Sequence, residues 1–270
     1  MREKEKSVEK AVYWNREGNI ARITLNRPAQ YNAINADLAR DLRQALFECW
    51  SDDTIRAAVL TGSGKAFCAG GDLKFLTAER EAGRGVASFE TLLPLFHGAI
   101  IAMREMPIPI VAALNGAVAG GGLGLALACD FRIASPQVSL YTAFLGIGAS
   151  PDSSSSFFLP RYVGFGRATE LFLRNKPISA EEALNLGLVN AVVPPEQVME
   201  EAMALAQELA QGPTGAFGRT KQLLNQSLGS SLQDHLHSEA RLITISGQSP
   251  DFAEGTTAFI AKRKPLFTGK

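Results

Sequence analysis

Cysteine is scarce in this chain. Its three copies, Cys49, Cys68 and Cys129, lie far apart, with no C-x-x-C spacing among them. That excludes a disulfide framework or a zinc knuckle and reads as reduced thiols in a reducing, cytoplasmic compartment. A charge excess is also lacking. Lys+Arg and Asp+Glu number 27 each, whereas a nucleic-acid binder normally shows a basic excess. No metal-ligand cluster is visible in the spacing of the histidines, cysteines and carboxylates. The opening residues, Met1 to Lys10, are too charged for a secretory signal.

One stretch imitates a membrane span. Pro107 to Cys129 carries no charge for about 23 positions, within the length that crosses a bilayer. Pro107, Pro109, Asn115 and five glycines break it, however. It reads better as a strand (Ile110–Leu114), a glycine loop (Asn115–Gly122) and a helix (Gly122–Cys129), and the expectation is no membrane partner.

What is present is enough apolar residue, 46% of 270, for a sizeable core. A strand pair is expected at Ala11–Asn15 and Ile20–Leu25, around a turn at Glu17-Gly18-Asn19. Leu38, Leu42, Ala45, Leu46 and Cys49 share one helical face, with Asn35 or Asp37 as the cap. A buried strand (Ala57–Leu60), a helix (about Val86 to Glu105) and a strand (Phe131–Ala134) follow. This alternation predicts an α/β fold with parallel strands. After Val193-Pro194-Pro195 the pattern turns helical, over Gln197–Gln211, Phe217–Ser227 and Leu232–Ser246. The expected boundary lies near residue 195. No internal repeat is apparent.

Two loops share one design: a buried strand, glycines, then a helix start. One is Ala66-Phe67-Cys68-Ala69-Gly70-Gly71-Asp72-Leu73. The other is Asn115-Gly116-Ala117-Val118-Ala119-Gly120-Gly121-Gly122-Leu123-Gly124. Glycine lets a backbone approach a ligand closely, and a helix start leaves N–H groups free to donate. Two such groups aimed at one oxygen make an oxyanion hole, each donor worth about 2.7–4 kcal/mol of barrier. Dinucleotide and P-loop spacings are not met.

These stretches resemble the two signatures of the crotonase (enoyl-CoA hydratase/isomerase) superfamily. The likeness extends through Leu25-Asn26-Arg27-Pro28, Leu159-Pro160-Arg161-Tyr162-Val163-Gly164, Ile178 to Ala183, Gly187-Leu188-Val189-Asn190 and Ala258 to Lys264. It implies a spiral of ββα repeats in residues 1–195 and a helical region in residues 196–270 that builds a homotrimer or a dimer of trimers. It implies an acyl-CoA substrate, with coenzyme A part of the substrate and no further cofactor. Gly71 and Gly121 would supply the oxyanion-hole N–H groups. Ala29, Gln30, Tyr31, Ala69 and Lys74 would border the CoA nucleotide, and Phe259 and Lys262 would approach it from a neighbouring subunit.

The likeness fails where the family's hydratases carry two glutamates. Gly124 stands at one position and Ala143-Phe144 at the Pro-Glu pair. Hydration needs both acids, so efficient hydratase activity is not expected. Asp152 remains, at a position that carries an acid in several family isomerases. One carboxylate suits a 3-enoyl to 2-enoyl double-bond shift, and burial beside Phe144 and Phe157 is expected to tune it. A second reading resembles the 4-chlorobenzoyl-CoA dehalogenases, with Asp152 as nucleophile, His97 as base, and Phe67, Phe96 and Phe144 near an aryl ring. A third is a non-catalytic acyl-CoA-binding member. The serines Ser153–Ser156 replace a stretch usually rich in glycine, without the nearby histidine or elbow of a serine nucleophile. Thr77–Gly85 is expected to form a mobile gate.

Overall fold

The computed structural model describes residues 10–270. Residues 1–9, which hold nearly all of the charged opening segment, lie outside it. In chain order the elements are β1 (Val12–Glu17), β2 (Ile20–Leu25), α1 (Ala36–Trp50), β3 (Ala57–Gly62), β4 (Ala66–Cys68), α2 (Leu73–Glu81), α3 (Gly85–Glu105), β5 (Ile110–Leu114), β6 (Ala117–Ala119), α4 (Gly121–Ala128), β7 (Phe131–Ala134), β8 (Ser139–Tyr141), α5 (Ser155–Val163), α6 (Phe165–Arg174), β9 (Ile178–Ser179), α7 (Ala180–Asn185), β10 (Ala191–Val192), α8 (Val198–Ala210), α9 (Thr214–Gln226), α10 (Leu232–Gly247) and α11 (Pro250–Ile260).

Two sheets form, in the orders β1-β2-β3-β5-β7-β10 and β4-β6-β8-β9. The chain visits them alternately. β3, β5 and β7 each enter the first sheet, and β4, β6 and β8 follow in the second, with helices before the next visit. That is a ββα unit wound three times, although no repeat shows in the residues. All pairings are parallel from β2 to β10 and from β4 to β8; β1 on β2 and β9 on β8 are antiparallel.

The first sheet is covered on both faces, so β3 and β5 are buried along their whole length. Alternate residues serve different cores. Ala58, Leu60, Ile110, Ala112 and Leu114 join the larger cluster with Leu38, Leu42 and Leu46 of α1 and Phe96 and Met103 of α3. Ala57, Val59, Val111 and Ala113 face the other way, onto Val198, Ala202, Ala206 and Ala210 of α8. Those four are spaced by four residues, and three are alanine, which lets the helix lie close to the sheet. The turn to helix near residue 195 is therefore a change of secondary structure, with the packing continuous through α8.

Most local expectations hold in position. Asn35 caps α1, its side chain accepting from Leu38 N at 3.0 Å, a contact worth about 1 kcal/mol. The uncharged run is β5, β6 and the wholly buried α4. A strand, β6, sits inside what reads from sequence as a plain loop. Among the described residues the helix long and apolar enough to span a membrane is instead α3, whose buried face packs in the main core with α1. At Thr77–Gly85, expected as a mobile loop, the loop is the part corrected. Helix α2 runs to Glu81, and Glu79 and Arg84 close the following turn with two hydrogen bonds of 2.7 and 2.9 Å. Helix α11 has no counterpart among the expected elements. The thiols of Cys49, Cys68 and Cys129 are each pushed up to about 12, chiefly by burial, and are inert.

A buried ionic knot ties α9 to the core. Lys221 Nζ donates to Asp130 Oδ2 at 2.8 Å and to the carbonyls of Met103 and Ile108 at 3.0 Å. Asp130 also accepts from Arg104 and from the Ile110 backbone. Burial depresses the Lys221 ammonium below its ordinary value despite the pull of Asp130. Lys221→Met leaves Asp130 with Arg104 and the Ile110 N–H but takes the ammonium from the carbonyls of Met103 and Ile108. It is expected to cost about 1–3 kcal/mol, read as a lower urea midpoint at unchanged m-value.

Candidate active site

The first glycine loop is held from below by the segment at 27–34. Arg27 pairs with Asp72 at 2.9 Å and also donates to the Ala33 carbonyl. Asp72 in turn caps α2 by accepting from Phe75 N. The wholly buried Asn32 donates to the carbonyls of Ser63 and Ala66 at 3.0 and 2.8 Å and accepts from Arg27 N at 2.8 Å. Ile34 then bridges to Gly71 as in a parallel ladder: Ile34 N donates to Gly70 O at 2.7 Å, and Asp72 N donates to Ile34 O at 3.0 Å. Backbone groups alternate in direction along such a ladder. The groups flanking Gly71 face Ile34, so the Gly71 N–H is turned to the opposite side.

The second loop meets the first there. Gly120 adopts φ +52, and a Cβ on it would lie 3.6 Å from Gly70 Cα and 3.9 Å from the Phe144 ring. The two loops thus abut backbone to backbone. Asn115 bolts them together at their base, accepting from Gly62 N at 3.2 Å and donating to Gly64 O at 3.0 Å. Gly121 opens α4, so its N–H is one of the helix's free first-turn donors. Among the described residues neither Gly71 nor Gly121 donates its N–H to a protein acceptor. Two free donors on touching loops, one at a positive helix terminus, can receive a carbonyl oxygen and hold it as an oxyanion.

This geometry has close counterparts. A family model described as enoyl-CoA hydratase/isomerase matches residues 15–270. The chain belongs to the enoyl-CoA hydratase/isomerase family. A Rhodobacter capsulatus protein named "Probable enoyl-CoA hydratase" is 41% identical over 93% of this chain and 95% of its own length. The 1,2-epoxyphenylacetyl-CoA isomerase of Escherichia coli is 36% identical, with 94% and 97% covered. A 4-chlorobenzoyl coenzyme A dehalogenase of an Arthrobacter species is 35% identical, with 90% and 88% covered. Among solved structures, an enoyl-CoA hydratase from Polaromonas superposes with TM-score 0.89 at 32% identity, over 95% of this chain and 99% of its own. The protein is therefore a crotonase-superfamily enzyme of acyl-CoA metabolism with the spiral α/β fold.

The positions of the two missing glutamates have physical occupants. A Cβ on Gly124 would stand 1.8 Å from the Ser153 carbonyl oxygen and 3.2 Å from Ser155 N. The main chain at Ser153–Ser155 fills the place where a glutamate would begin. Phe144, 8% exposed, fills the other and reaches toward Gly120. Asp152 is half-buried and accepts from Ser153 Oγ at 2.6 Å. Ser153 Oγ also lies 3.0 Å from the point where a Cβ on Gly121 would stand, so one side chain links the carboxylate to the second loop.

Other expected residues divide by location. Ala29, Gln30, Tyr31, Ala69 and Lys74 are all exposed around the first loop, and Ala69 N donates to Tyr31 O at 3.1 Å. Phe259, 85% exposed, and Lys262 stand at the far end of α11, where Phe259 lines an apolar groove with Phe252, Ile260 and Phe267. His97 Nε2 is buried without a hydrogen-bond partner, and among the described residues no hydrogen bond joins it to Asp152. Two expectations are corrected. Phe157 does not bury Asp152: it is 47% exposed, with Arg161 3.4 Å over its ring. Phe67 and Phe96 are buried in the main core, at 0% and 1% exposure, and are not open to solvent beside the loops. Ser153 is a further site candidate, signalled in the sequence only by the serine run Ser153–Ser156.

Gly124→Ala is expected to push the Ser153 carbonyl aside, destabilise the fold by about 1–3 kcal/mol, and lower turnover of any acyl-CoA substrate. Thermal melting and steady-state kinetics on the same variant check this. Gly124→Glu is expected not to install hydratase activity.

Proposed function

We propose that this enzyme moves a double bond along an acyl-CoA, from the 3-enoyl to the 2-enoyl thioester, with Asp152 as its single acid and base. The observation that carries the reading is the occupied space at Gly124, where the Ser153 main chain leaves no room for a glutamate. Hydration calls for one acid to activate water and another to deliver a proton. With Phe144 at the second position, one carboxylate beside Gly121 remains.

In this reading the N–H groups of Gly71 and Gly121 take the thioester oxygen. The Asp152 carboxylate removes a proton from C2, and the C–H electron pair passes into a dienolate whose charge rests on that oxygen. The same carboxyl returns the proton to C4. The C2–C3 double bond is left conjugated with the thioester, and nothing is gained or lost overall. Tyr31, Ala29, Gln30 and Ala69 suit the nucleotide of CoA, and Lys74 offers a point charge for its phosphates. The likeness to a trans-2-decenoyl-[acyl-carrier-protein] isomerase of Streptococcus mutans, 32% identical over 97% of this chain, supports a double-bond shift. Exposed Leu224, Leu228, Leu232 and Leu236, on α9, α10 and the turn between them, support assembly into trimers. In such an assembly Phe259 and Lys262 would meet the CoA of a neighbouring copy.

A second reading follows from the likeness to a dehalogenase and the unpartnered His97 Nε2. There Asp152 would attack an aryl carbon, chloride would leave, and His97 would activate water. With Phe67 and Phe96 in the core, only Phe144 of the three expected rings could face the aryl group.

Asp152→Asn is expected to slow isomerisation of 3-hexenoyl-CoA by about 10²–10⁴-fold. The assay follows the ultraviolet absorbance of the conjugated product at unchanged mass. Water addition to crotonyl-CoA at a comparable rate would overturn the reading. So would chloride release from 4-chlorobenzoyl-CoA that vanishes in His97→Gln. Binding of these thioesters without turnover of any would make the protein a carrier.

A further inference from the structure

The run Ser153–Ser156 contains a hydroxyl whose place the isomerase reading does not explain. Ser153 is 4% exposed and donates to Asp152 Oδ1 at 2.6 Å. Its Oγ and Cβ lie 3.0 and 3.5 Å from where a Cβ on Gly121 would stand. The neighbouring hydroxyls point elsewhere: Ser154 Oγ to the carbonyls of Ser153 and Gly124, Ser155 Oγ to the Asp152 carbonyl at 2.9 Å. Only Ser153 among the described residues donates to the Asp152 carboxylate.

The backbone makes this residue type costly. Ser153 and Ser154 have φ of +53 and +67, a region that disfavours any residue with a Cβ and that glycine enters freely. The chain carries a hydroxyl there in spite of the strain, and the hydroxyl sits on the proposed base. Strain held at a site is a pointer to function when an observed outlier comes first.

Building on the Asp152 reading, we propose that Ser153 is a positioning residue. Its hydroxyl engages Oδ1 of Asp152 beside Gly121, so that Oδ2 alone carries the proton from C2 to C4. A carboxylate left to itself rotates broadly about its last torsion. Engaged through one oxygen, it presents the other in a single orientation, over the face of the dienolate whose oxygen Gly121 holds. The proton taken from C2 then stays on a fixed oxygen until C4 receives it.

The test compares wild type, Ser153→Gly, Ser153→Ala and Asp152→Asn on 3-hexenoyl-CoA, in water and in deuterium oxide. Ser153→Gly suits the left-handed backbone, so its melting temperature is expected to hold or rise. Its kcat is nonetheless expected to fall about tenfold or more, the size of one hydrogen bond to a charged group, with KM within about twofold. Its product is expected to carry more deuterium at C4, because a loosened carboxyl exchanges its proton before returning it. Ser153→Ala is expected to show the same kcat loss whatever its melting temperature. If Ser153→Gly keeps wild-type kcat and deuterium content while Asp152→Asn is inactive, the positioning role is wrong and the isomerase reading stands. A kcat loss that appears only in whichever variant melts earlier also overturns the role. An active Asp152→Asn overturns the isomerase reading itself, and the role with it.

Discussion

The site depends on one close approach, Gly70 against Gly120, backbone to backbone. Neither loop alone could do the chemistry proposed here. A free N–H at the end of a strand or the start of a helix is common and binds an anion weakly in water. In the proposed reaction, two of them on touching loops, one backed by a helix dipole, act as a fixed electrostatic feature that need not reorganise when charge appears on the substrate oxygen. The Ile34 bridge supplies the orientation by occupying the groups on either side of Gly71. The Arg27–Asp72 pair and Asn32 keep that bridge in place.

Around that feature the chemistry is narrowed by what fills the neighbouring space. Ser153 main chain against Gly124 and the Phe144 ring against Gly120 occupy the two positions where the resemblance leads one to expect glutamates. The remaining carboxylate is held by the serine run that closes the first of them. In the proposed isomerase reading, a loop packed this way disfavours hydration and holds the remaining base by the same contacts, because a main-chain carbonyl and a glutamate side chain cannot share a volume.

The scaffold is stiff where the site needs it. The first sheet is buried on both faces, and alternate residues of β3 and β5 belong to two different cores. A shift of either strand would have to repack both. Lys221 and Asp130 fasten α9 to the ends of α3 and β5, so the helical C-terminal part is anchored by charge as well as by the alanine face of α8.

Much of this was legible in the residues. β5 and β7 fall where buried apolar runs predict them, Asn35 caps the helix it precedes, and the two glycine loops declare themselves as donors before helices. Local rules act over a few residues, and these features are local. What the residues could not declare was contact between distant segments. Phe67 and Phe96 look like candidate pocket rings, yet the winding of the ββα units turns both into the core. Thr77–Gly85 looks like a loop, yet it is a helix to Glu81 and a turn in which Glu79 reaches Arg84. Ser153 is one of four serines until the fold sets it between Asp152 and Gly121. The sequence by itself determined which backbone groups would be free and which acids were absent, since those follow from residue type. Only the tertiary structure decided which groups face one another, because that rests on parallel pairing between strands about fifty residues apart in the chain.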